Sequence, residues 1–241
     1  MSSKYNEEFY SSRHNLTSYS AKVITSIVQE YIHPSSAVDL GCGVGTWLKV
    51  LEDGGMEDIF GIEGEWTKEE NLLIPQAKFL KTNLAKPLKL ERQFDLAISL
   101  EVAEHIREAY ADQFMDNLTS LAPVILFSAA IPLQGGTHHV NEQWPEYWRD
   151  KFLKRNFVLL DCIRPKVWND ARIRMWYAQN SFLFIRRDKL DSFPALKQYQ
   201  ADSPMLAVVH PRFYEYQLET WPILKSIRNK LKRMTNPKQY V

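Results

Sequence analysis

The sequence from residue 37 to residue 51 reads AVDLGCGVGTWLKVL and carries three glycines at alternate positions. The glycines follow the short apolar run Ala37 to Leu40, and the apolar residues after them, from Trp47 to Leu51, have helical spacing. The pattern therefore predicts a strand, a tight turn and a helix. A turn of this kind lets a ligand approach the backbone closely and directs free N–H groups towards it.

Further apolar runs alternate with helical patterns along the chain. Strands are predicted at Ile59 to Ile62, Ala77 to Leu80, Phe94 to Leu100, Val124 to Phe127, Phe157 to Cys162 and Phe182 to Ile185. Helices are predicted at Thr17 to Ile32, Arg107 to Ser120 and Pro145 to Arg155. This alternation predicts an α/β fold with a doubly wound, mostly parallel, seven-stranded sheet.

Composition narrows the class of protein. The chain has 241 residues, with 30 Lys and Arg against 29 Asp and Glu, so its formal charge is +1 and no nucleic-acid partner is expected. No apolar run approaches the length of a transmembrane segment, and the polar start lacks a secretory signal, so we expect a cytoplasmic protein. Cys42 and Cys162 lie in apolar runs and are interpreted as structural.

Ligand sites in doubly wound sheets lie at the carboxyl ends of the strands, which gives a set of candidate positions. These are Gly41 to Gly45, Glu63, Asn83, Glu101 to His105, and Ala129 to Asn141. The glycine spacing is GxGxG, and not the GxGxxG of dinucleotide enzymes, so a pyrophosphate is disfavoured. Asp39 is placed to bond turn amides or the amino group of a ligand, and Glu63 to accept from both hydroxyls of a ribose.

Three segments resemble the successive motifs of class I, or Rossmann-like, S-adenosylmethionine-dependent methyltransferases: VDLGCGVGTWL at Val38 to Leu48, GIEG at Gly61 to Gly64, and FDLAISLEVAEHI at Phe94 to Ile106. The resemblance spans about Thr17 to Arg187. It implies that the last strand is antiparallel, that S-adenosylmethionine is the cofactor and that S-adenosylhomocysteine is the product. We expect a methyltransferase domain with an N-terminal helical arm over residues 1–190, and a helical, basic C-terminal extension over 191–241.

The resemblance also implies roles for single residues. Asp39, Gly41 and Gly43 would hold the methionine part, Glu63 the ribose, Asn83 the adenine amine, and Leu100 would line the sulfonium region. Asn83 departs from the family, in which Asp is more common at this position. The predicted cofactor site comprises Asp39, Gly41, Cys42, Gly43, Gly45, Glu63, Asn83, Leu84, Leu100 and Glu101.

The acceptor is suggested by the segment FSAAIPLQGGTHHVNEQWPEYW at Phe127 to Trp148, which resembles a bacterial subgroup associated with glycan and secondary-metabolite assembly. It favours O-methylation of a sugar, a glycan or another small polar acceptor. The alternatives are N-methylation of an amino sugar or small amine, methylation of RNA, and a non-catalytic module that binds the cofactor and regulates a partner.

Transfer to an alcohol needs a general base or a metal ion that lowers the pKa of the hydroxyl. His105, His138 and His139 follow predicted strands and are expected at the same edge. Side chains alternate in extended structure, so only one of His138 and His139 is expected to work as the base. His105 is then an orienting group or an alternative base.

A metal site is the less favoured alternative. Glu101, Glu104 and His105 are spaced to share one face of a helical turn, and two carboxylates with an imidazole could bind Mg²⁺ or Mn²⁺. Small-RNA 3′-end methyltransferases use a similar Glu-x-x-Glu-His arrangement with a later histidine. The same string caps and orients the helix in metal-free relatives, so we predict no metal.

Other features have both a functional and a simpler structural interpretation. Aromatic residues cluster over the expected acceptor position, at Trp144, Tyr147, Trp148, Trp168, Trp176 and Tyr177; Trp144 and Tyr177 are predicted to contact the acceptor, and the others to fill the core. Tyr10, Arg13 and Tyr19 could form a lid, although a solvated arm is favoured. The basic segment from Lys225 to Arg233 could contact anionic lipid weakly, although a solvated tail is favoured.

Overall fold

The computed structural model describes residues 7–200, 205–220 and 226. All seven predicted strands are present in one sheet. They are β1 (Ser36–Leu40), β2 (Asp58–Glu63), β3 (Phe79–Lys81), β4 (Leu96–Leu100), β5 (Val124–Ser128), β6 (Phe157–Leu160) and β7 (Phe182–Arg186). The strand order is β3-β2-β1-β4-β5-β7-β6. The predicted α/β class and mostly parallel sheet are confirmed.

The helices cover both faces of the sheet. They are α1 (Glu7–Ile32), α2 (Thr46–Asp53), α3 (Ala111–Leu121), α4 (Pro145–Lys154), α5 (Arg164–Val167), α6 (Met175–Asn180) and α7 (Pro211–Thr220). Helix α1 begins ten residues before the predicted start at Thr17, because residues 7–16 are mostly polar and give no apolar stripe. The first part of the predicted helix Arg107 to Ser120 is wrong, since residues 108–110 form a separate 3₁₀ turn.

Two apolar clusters form the core, one on each face of the sheet. One cluster joins α1 and α2 to the sheet through residues such as Ile24, Leu48 and Ile98. The other joins α3 and α4 through residues such as Phe114 and Phe152. All five residues of β1, β4 and β5 are buried, as expected for central strands covered by helices on both faces.

The direction of β7 decides what lies at the carboxyl edge. Strand β7 is antiparallel to both of its neighbours, and its first residue, Phe182, pairs with Phe127 near the end of β5. The segment before β7 therefore lies at the same edge as the segments that follow β1, β2, β4 and β5. Helix α6 is that segment, so it shares the edge with the glycine turn.

The chain after β7 returns to the domain. Arg164 donates hydrogen bonds to the carbonyl oxygens of Met205 and Leu206, and Leu206 is buried. Gln217 of α7 donates to the carbonyl oxygens of Leu133 and Gln134. Among the described residues, no helix has the length and apolar character needed to cross a bilayer. The basic segment Lys225 to Arg233 lies outside the described residues.

Candidate active site

The glycine turn between β1 and α2 has the backbone that its sequence demands. Gly41, Gly43 and Gly45 all have positive φ angles, of 92°, 57° and 86°. A Cβ at Gly41 would lie 2.5 Å from the side chain of Val102, and one at Gly45 would lie 3.0 Å from Ile74. Glycine is therefore required at Gly41 and Gly45 both by the backbone and by close packing.

Glu63 ends β2 and fixes the turn. Its carboxylate accepts hydrogen bonds from the backbone N–H groups of Gly43 and Gly64, both at 2.7 Å. Burial raises the pKa of Glu63, and these two hydrogen bonds oppose the shift. Each carboxylate oxygen has a further lone pair, so Glu63 can hold the turn and still accept from a ligand hydroxyl.

Asp39 lies beneath the turn in β1 and is only 2% exposed. Burial, and then the charge of Glu63, raises the pKa of Asp39 well above its usual range. No lysine or arginine of the described chain forms an ion pair with Asp39. A cationic group on a ligand would supply the missing partner.

The other predicted cofactor residues divide into buried and exposed ones. Cys42, Leu84 and Leu100 are buried, and burial raises the pKa of the Cys42 thiol. Asn83 is exposed, and its side-chain oxygen accepts a hydrogen bond from the N–H of Ala85 at 2.9 Å. Asn83 therefore closes the turn after β3, with its amide nitrogen left for a ligand.

Glu101 does not share a helical face with Glu104 and His105, so that expectation is wrong. Its φ is 56°, and the short 3₁₀ helix begins only at Ala103. The left-handed residue turns the carboxylate of Glu101 towards two amides. The side chain of Gln134 donates to it at 2.5 Å, and that of Asn180 at 3.3 Å.

Asn180 was not identified from the sequence, and Gln134 lies in the candidate segment Ala129 to Asn141 but was not singled out. Asn180 is buried at the end of α6 and also donates to the side-chain oxygen of Gln134 at 2.9 Å. The three side chains link the end of β4, the loop after β5 and α6. The signal for Asn180 was its place before an antiparallel strand, where the segment preceding the strand reaches the carboxyl edge.

Glu104 is fully buried, and neither of its carboxylate oxygens has a hydrogen-bond partner. Burial and the charge of Glu101 raise its pKa well above the usual range. Its backbone oxygen accepts from the N–H groups of Val140 and Asn141, at 2.9 and 3.0 Å. The loop after β5 is therefore attached directly beside an uncompensated carboxyl group.

The two predicted candidate bases in this loop take different positions. The Nδ1 atom of His139 lies 2.8 Å from the Oε1 atom of Glu142, and its Nε2 atom lies 3.9 Å from the Oε1 atom of Glu104. The side chain of His138 is exposed, but its backbone oxygen lies 3.2 Å from the Nδ1 atom of His105. The rings of His105 and His139 meet edge to face, with their centroids 4.9 Å apart.

Within the described residues, these contacts bring together one group of three possible metal ligands. One atom each from Glu104, His105 and His139 lie within 4.8 Å of one another. Each histidine has its Nδ1 atom beside a hydrogen-bond acceptor, which leaves Nε2 as the free nitrogen. The partnerless oxygens of Glu104 complete a donor set that fits a divalent cation. This group contains His139 in place of Glu101, which binds Gln134 and Asn180 instead.

The aromatic residues are spread over the core and the surface. Tyr177 is buried, with its ring edge to face against Trp47 at 5.1 Å, whereas Trp144 is 41% exposed. Trp148 is buried in the core, and Trp168 packs on His210. Trp66, which was not singled out from the sequence, is 72% exposed and covers Gly64.

The N-terminal arm, predicted to be solvated with a lid as the alternative, is described only in part. Tyr19 donates a hydrogen bond to Asp170 at 3.0 Å, and the guanidinium of Arg172 lies over its ring. Tyr19 is therefore held against the segment before α6. The side chains of Tyr10 and Arg13 fall outside the part of the chain whose side chains the structure describes.

A family model described as "Methyltransferase domain" matches residues 12–195. No curated protein matches the sequence. The methyltransferase domain of a bacterial protein, CtHen1-C, is 16% identical, with a TM-score of 0.50, over 70% of this chain and 97% of that one. The small RNA methyltransferase HEN1 is 19% identical, with a TM-score of 0.50, over 77% of this chain and 26% of that one.

Another similar structure is magnesium protoporphyrin IX methyltransferase from Synechocystis PCC 6803 with bound S-adenosylhomocysteine. It is 17% identical, with a TM-score of 0.48, over 77% of this chain and 90% of that one. The two structures with a TM-score of 0.50 support a shared fold, and the family model covers most of this chain. The chain therefore belongs to the methyltransferase-domain family, and it is an S-adenosylmethionine-dependent enzyme.

Proposed function

We propose that this enzyme transfers a methyl group to a hydroxyl of a small polar acceptor, such as a sugar or a glycan. The observation that carries the proposal is the pairing of His139 with Glu142, next to Glu104 and His105, at the edge that holds the glycine turn. An amine acceptor in its neutral form is already nucleophilic, whereas an alcohol needs such a group. We also place the enzyme in the cytoplasm, where two buried free thiols stay reduced.

The Glu142 carboxylate orients the candidate base. With the Nδ1 proton of His139 donated to Glu142, the lone pair of the neutral imidazole is on Nε2. The acceptor hydroxyl gives its proton to Nε2 while its oxygen bonds to the methyl carbon. The bond between that carbon and sulfur breaks, and its electron pair stays on sulfur, which yields S-adenosylhomocysteine. The protein aligns the three atoms, an effect worth roughly 7–11 kcal/mol.

A second mechanism, in which a metal ion activates the hydroxyl, is supported by the two Glu104 oxygens that have no hydrogen-bond partner. Glu104, His105 and His139 would hold the ion, and His138 and Glu142 would orient the two imidazoles. Two histidines and one carboxylate suit a transition metal such as Mn²⁺ or Fe²⁺ better than Mg²⁺. A bound cation would supply charge that lowers the pKa of the acceptor hydroxyl.

The loop that carries His139 offers a surface for the acceptor. Trp144 and Val140 are 41% and 56% exposed, and the amide of Gln143 is held by Asn141 nearby. An exposed indole suits the C–H face of a sugar ring, and polar groups around it suit the hydroxyls. Trp144 is therefore our candidate for an acceptor contact.

The acceptor is tested by measuring S-adenosylhomocysteine formation with purified enzyme. The panel contains nucleotide sugars and free glycans, the corresponding amino sugars, and a short single-stranded RNA with a free 3′-terminal diol. The proposal expects turnover with hydroxyl acceptors, with Trp144→Ala raising KM for the acceptor and leaving cofactor affinity unchanged. Turnover confined to amines, retained in full by His139→Ala, would establish N-methylation; turnover confined to RNA would also overturn the proposal.

Two matched variants separate the base from the metal. If His139 works as a base, Glu142→Gln lowers kcat by about 10²- to 10⁴-fold, the range of general-base catalysis, and a chelator has no effect. If a cation is required, a chelator abolishes activity, Mn²⁺ restores it, and Glu104→Gln is inactive even with Mn²⁺. Full activity of both variants after chelation would refute both forms of hydroxyl activation.

A further inference from the structure

Helix α6 presents two side chains at the carboxyl edge of the sheet. Tyr177 and Asn180 are three residues apart and so lie on the same face of the helix. Asn180 donates to Glu101 at the end of β4. Tyr177 packs edge to face on Trp47, the second residue of the helix that the glycine turn opens. One face of α6 therefore extends from the glycine turn to the end of β4, and we call it the α6 wall.

Two buried carboxyl groups act on the centre of this wall. The charges of Glu101 and Asp39 both act on the phenol of Tyr177; together with burial, the largest cause, they raise its pKa to about 12. The phenol therefore remains neutral at neutral pH. No lysine or arginine in the described ranges forms an ion pair with Asp39 or Glu101. A cationic ligand at this point would meet an aromatic ring and would favour the ionised form of both carboxyl groups, whose pKa values burial raises.

The cofactor and its product differ in charge at one atom. The sulfur of S-adenosylmethionine is a sulfonium cation, and transfer of the methyl group leaves a neutral thioether. A cation is attracted to the face of an aromatic ring, and the attraction grows when water is excluded. Tyr177 is buried, so its ring would recognise the charged sulfur in the absence of competing solvent.

We infer that Tyr177 contacts the sulfonium end of the cofactor and makes the enzyme bind S-adenosylmethionine in preference to S-adenosylhomocysteine. The residue is then a specificity determinant that neither the glycine turn nor the acceptor loop contains. It also aids turnover, because the product loses this attraction as soon as the methyl group leaves. The inference concerns the cofactor alone and is independent of the acceptor proposed above.

The test is the ratio of two dissociation constants, measured by calorimetry on the full chain. Tyr177→Leu is expected to weaken S-adenosylmethionine binding by about 3- to 30-fold, the range of a cation–π contact, and S-adenosylhomocysteine binding much less. Tyr177→Phe keeps the ring and should retain most of the preference. Tyr199→Leu is the matched control. Tyr199 also packs edge to face on an aromatic residue, Tyr31, but it lies away from the glycine turn and the end of β4.

A second series keeps the shape of the ring and so does not depend on how Tyr177→Leu folds. Phenylalanine, 4-fluorophenylalanine and 3,4,5-trifluorophenylalanine are placed at position 177. Fluorine withdraws electron density from the ring face, so affinity for S-adenosylmethionine should fall stepwise while affinity for S-adenosylhomocysteine stays constant. Equal losses for both ligands, or no trend with fluorination, would show that Tyr177 only fills the core and would overturn the inference.

Discussion

Four carboxyl side chains lie buried or half-buried at the carboxyl edge of the sheet: Asp39, Glu63, Glu101 and Glu104. Burial is the first cause of the raised pKa in every case. Glu63 and Glu101 accept hydrogen bonds from the protein, whereas both oxygens of Glu104 have no partner. The edge is therefore built for ligands that bring positive charge or donate hydrogen bonds.

Asp39→Asn should stabilise the cofactor-free protein in a manner that depends on pH. The folded-state pKa of Asp39 is raised, so its ionised form opposes folding; the cost grows as pH rises from the unfolded-state pKa to the folded-state pKa and stays constant above it. Below the pKa of the unfolded chain, the carboxyl is protonated in both states and the cost vanishes. Thermal melts should show a gain at pH 8 that shrinks by pH 5, at about 2–4 °C per kcal/mol for a chain of this size.

The control is Glu91→Gln, which removes an exposed carboxylate and should leave the melting temperature unchanged at both pH values. Asp39→Asn should also bind S-adenosylmethionine more weakly, because an amide attracts a cationic amino group less strongly than a carboxylate does. A melting temperature that falls equally at every pH would mean that the Asp39 carboxylate is compensated in the folded protein.

Gly136→Ala should displace His139. A Cβ at residue 136 would lie 2.2 Å from the Nε2 atom of His139, far inside van der Waals contact. A shift of about 1 Å in a reacting group can cost roughly 100-fold in rate, so we expect a fall of at least tenfold in kcat with cofactor affinity unchanged. Steady-state kinetics and calorimetry measure the two effects.

Gly135→Ala is the matched control for that change. Gly135 has a φ of 69°, but a Cβ there meets nothing within 4 Å. The control should lose some stability through backbone strain and keep the position of His139. If both variants lose activity equally, the general conformation of the loop matters more than the contact with His139.

Single residues were predicted where a motif fixes the backbone. The three glycines and Glu63 were placed correctly because the turn and the strand ends follow from local sequence. The partners Gln134, Glu142 and Asn180 were missed, because an amide or acid in a polar loop has no pattern until the fold brings it to its neighbour. Glu101 was placed on a helical turn in error, because its spacing from Glu104 does not reveal a left-handed backbone.

At the scale of elements, the strands were the most predictable part of the molecule. Central parallel strands are buried on both faces, so in the sequence they consist of uninterrupted apolar residues, as from Val124 to Phe127. The extent of α1 was harder to predict, since its first turns lack an apolar stripe. The position of α6 at the carboxyl edge could not be predicted from local pattern, because it depends on the antiparallel direction of β7.

Helix α7 should stabilise the loop that carries His139. Gln217 donates to the carbonyl oxygens of Leu133 and Gln134, and Leu133 has an unfavourable φ of 68°. Gln217→Ala should therefore increase amide hydrogen exchange in residues 131–136, while the glycine turn remains protected. The acceptor KM should rise several-fold with it.

Glu215→Ala is the control in the same helix, because the Glu215 side chain is exposed and lies two residues before Gln217, on another face of α7. It should leave hydrogen exchange in residues 131–136 unchanged. Unchanged exchange in Gln217→Ala as well would mean that the loop is held by the contacts of Glu142 with Leu133 and Gly135 alone.

At the scale of the whole molecule, cofactor binding at the carboxyl edge of the sheet should raise the free energy of unfolding. A ligand at 100 times its dissociation constant stabilises the folded state by about 2.7 kcal/mol. For a chain of this size that corresponds to a rise in melting temperature of roughly 5–11 °C. S-Adenosylmethionine should therefore raise the melting temperature with a logarithmic dependence on its concentration.

Asp39→Asn gives the contrast for this measurement, since its cofactor-free form should be more stable and its gain from cofactor smaller. The same shift in both proteins would show that the Asp39 charge has no part in binding.

The overall fold was predictable to this level because the sheet, its helices and its ligand edge follow from one repeated β-α unit. The chain after β7 follows no such repeat, and its contacts with the loop emerged only from the structure.

The antiparallel direction of β7 also has a consequence for biosynthesis. Strand β6 joins the sheet only through β7, because β5 and β6 each pair with β7 and not with one another. A nascent chain that ends before Phe182 lacks this joining strand, and the α6 wall has no anchored position. The ribosome must therefore deliver Phe182–Arg186 before α6 and β6 can take their places in the sheet, so the contact proposed for Tyr177 cannot form until β7 has been synthesised.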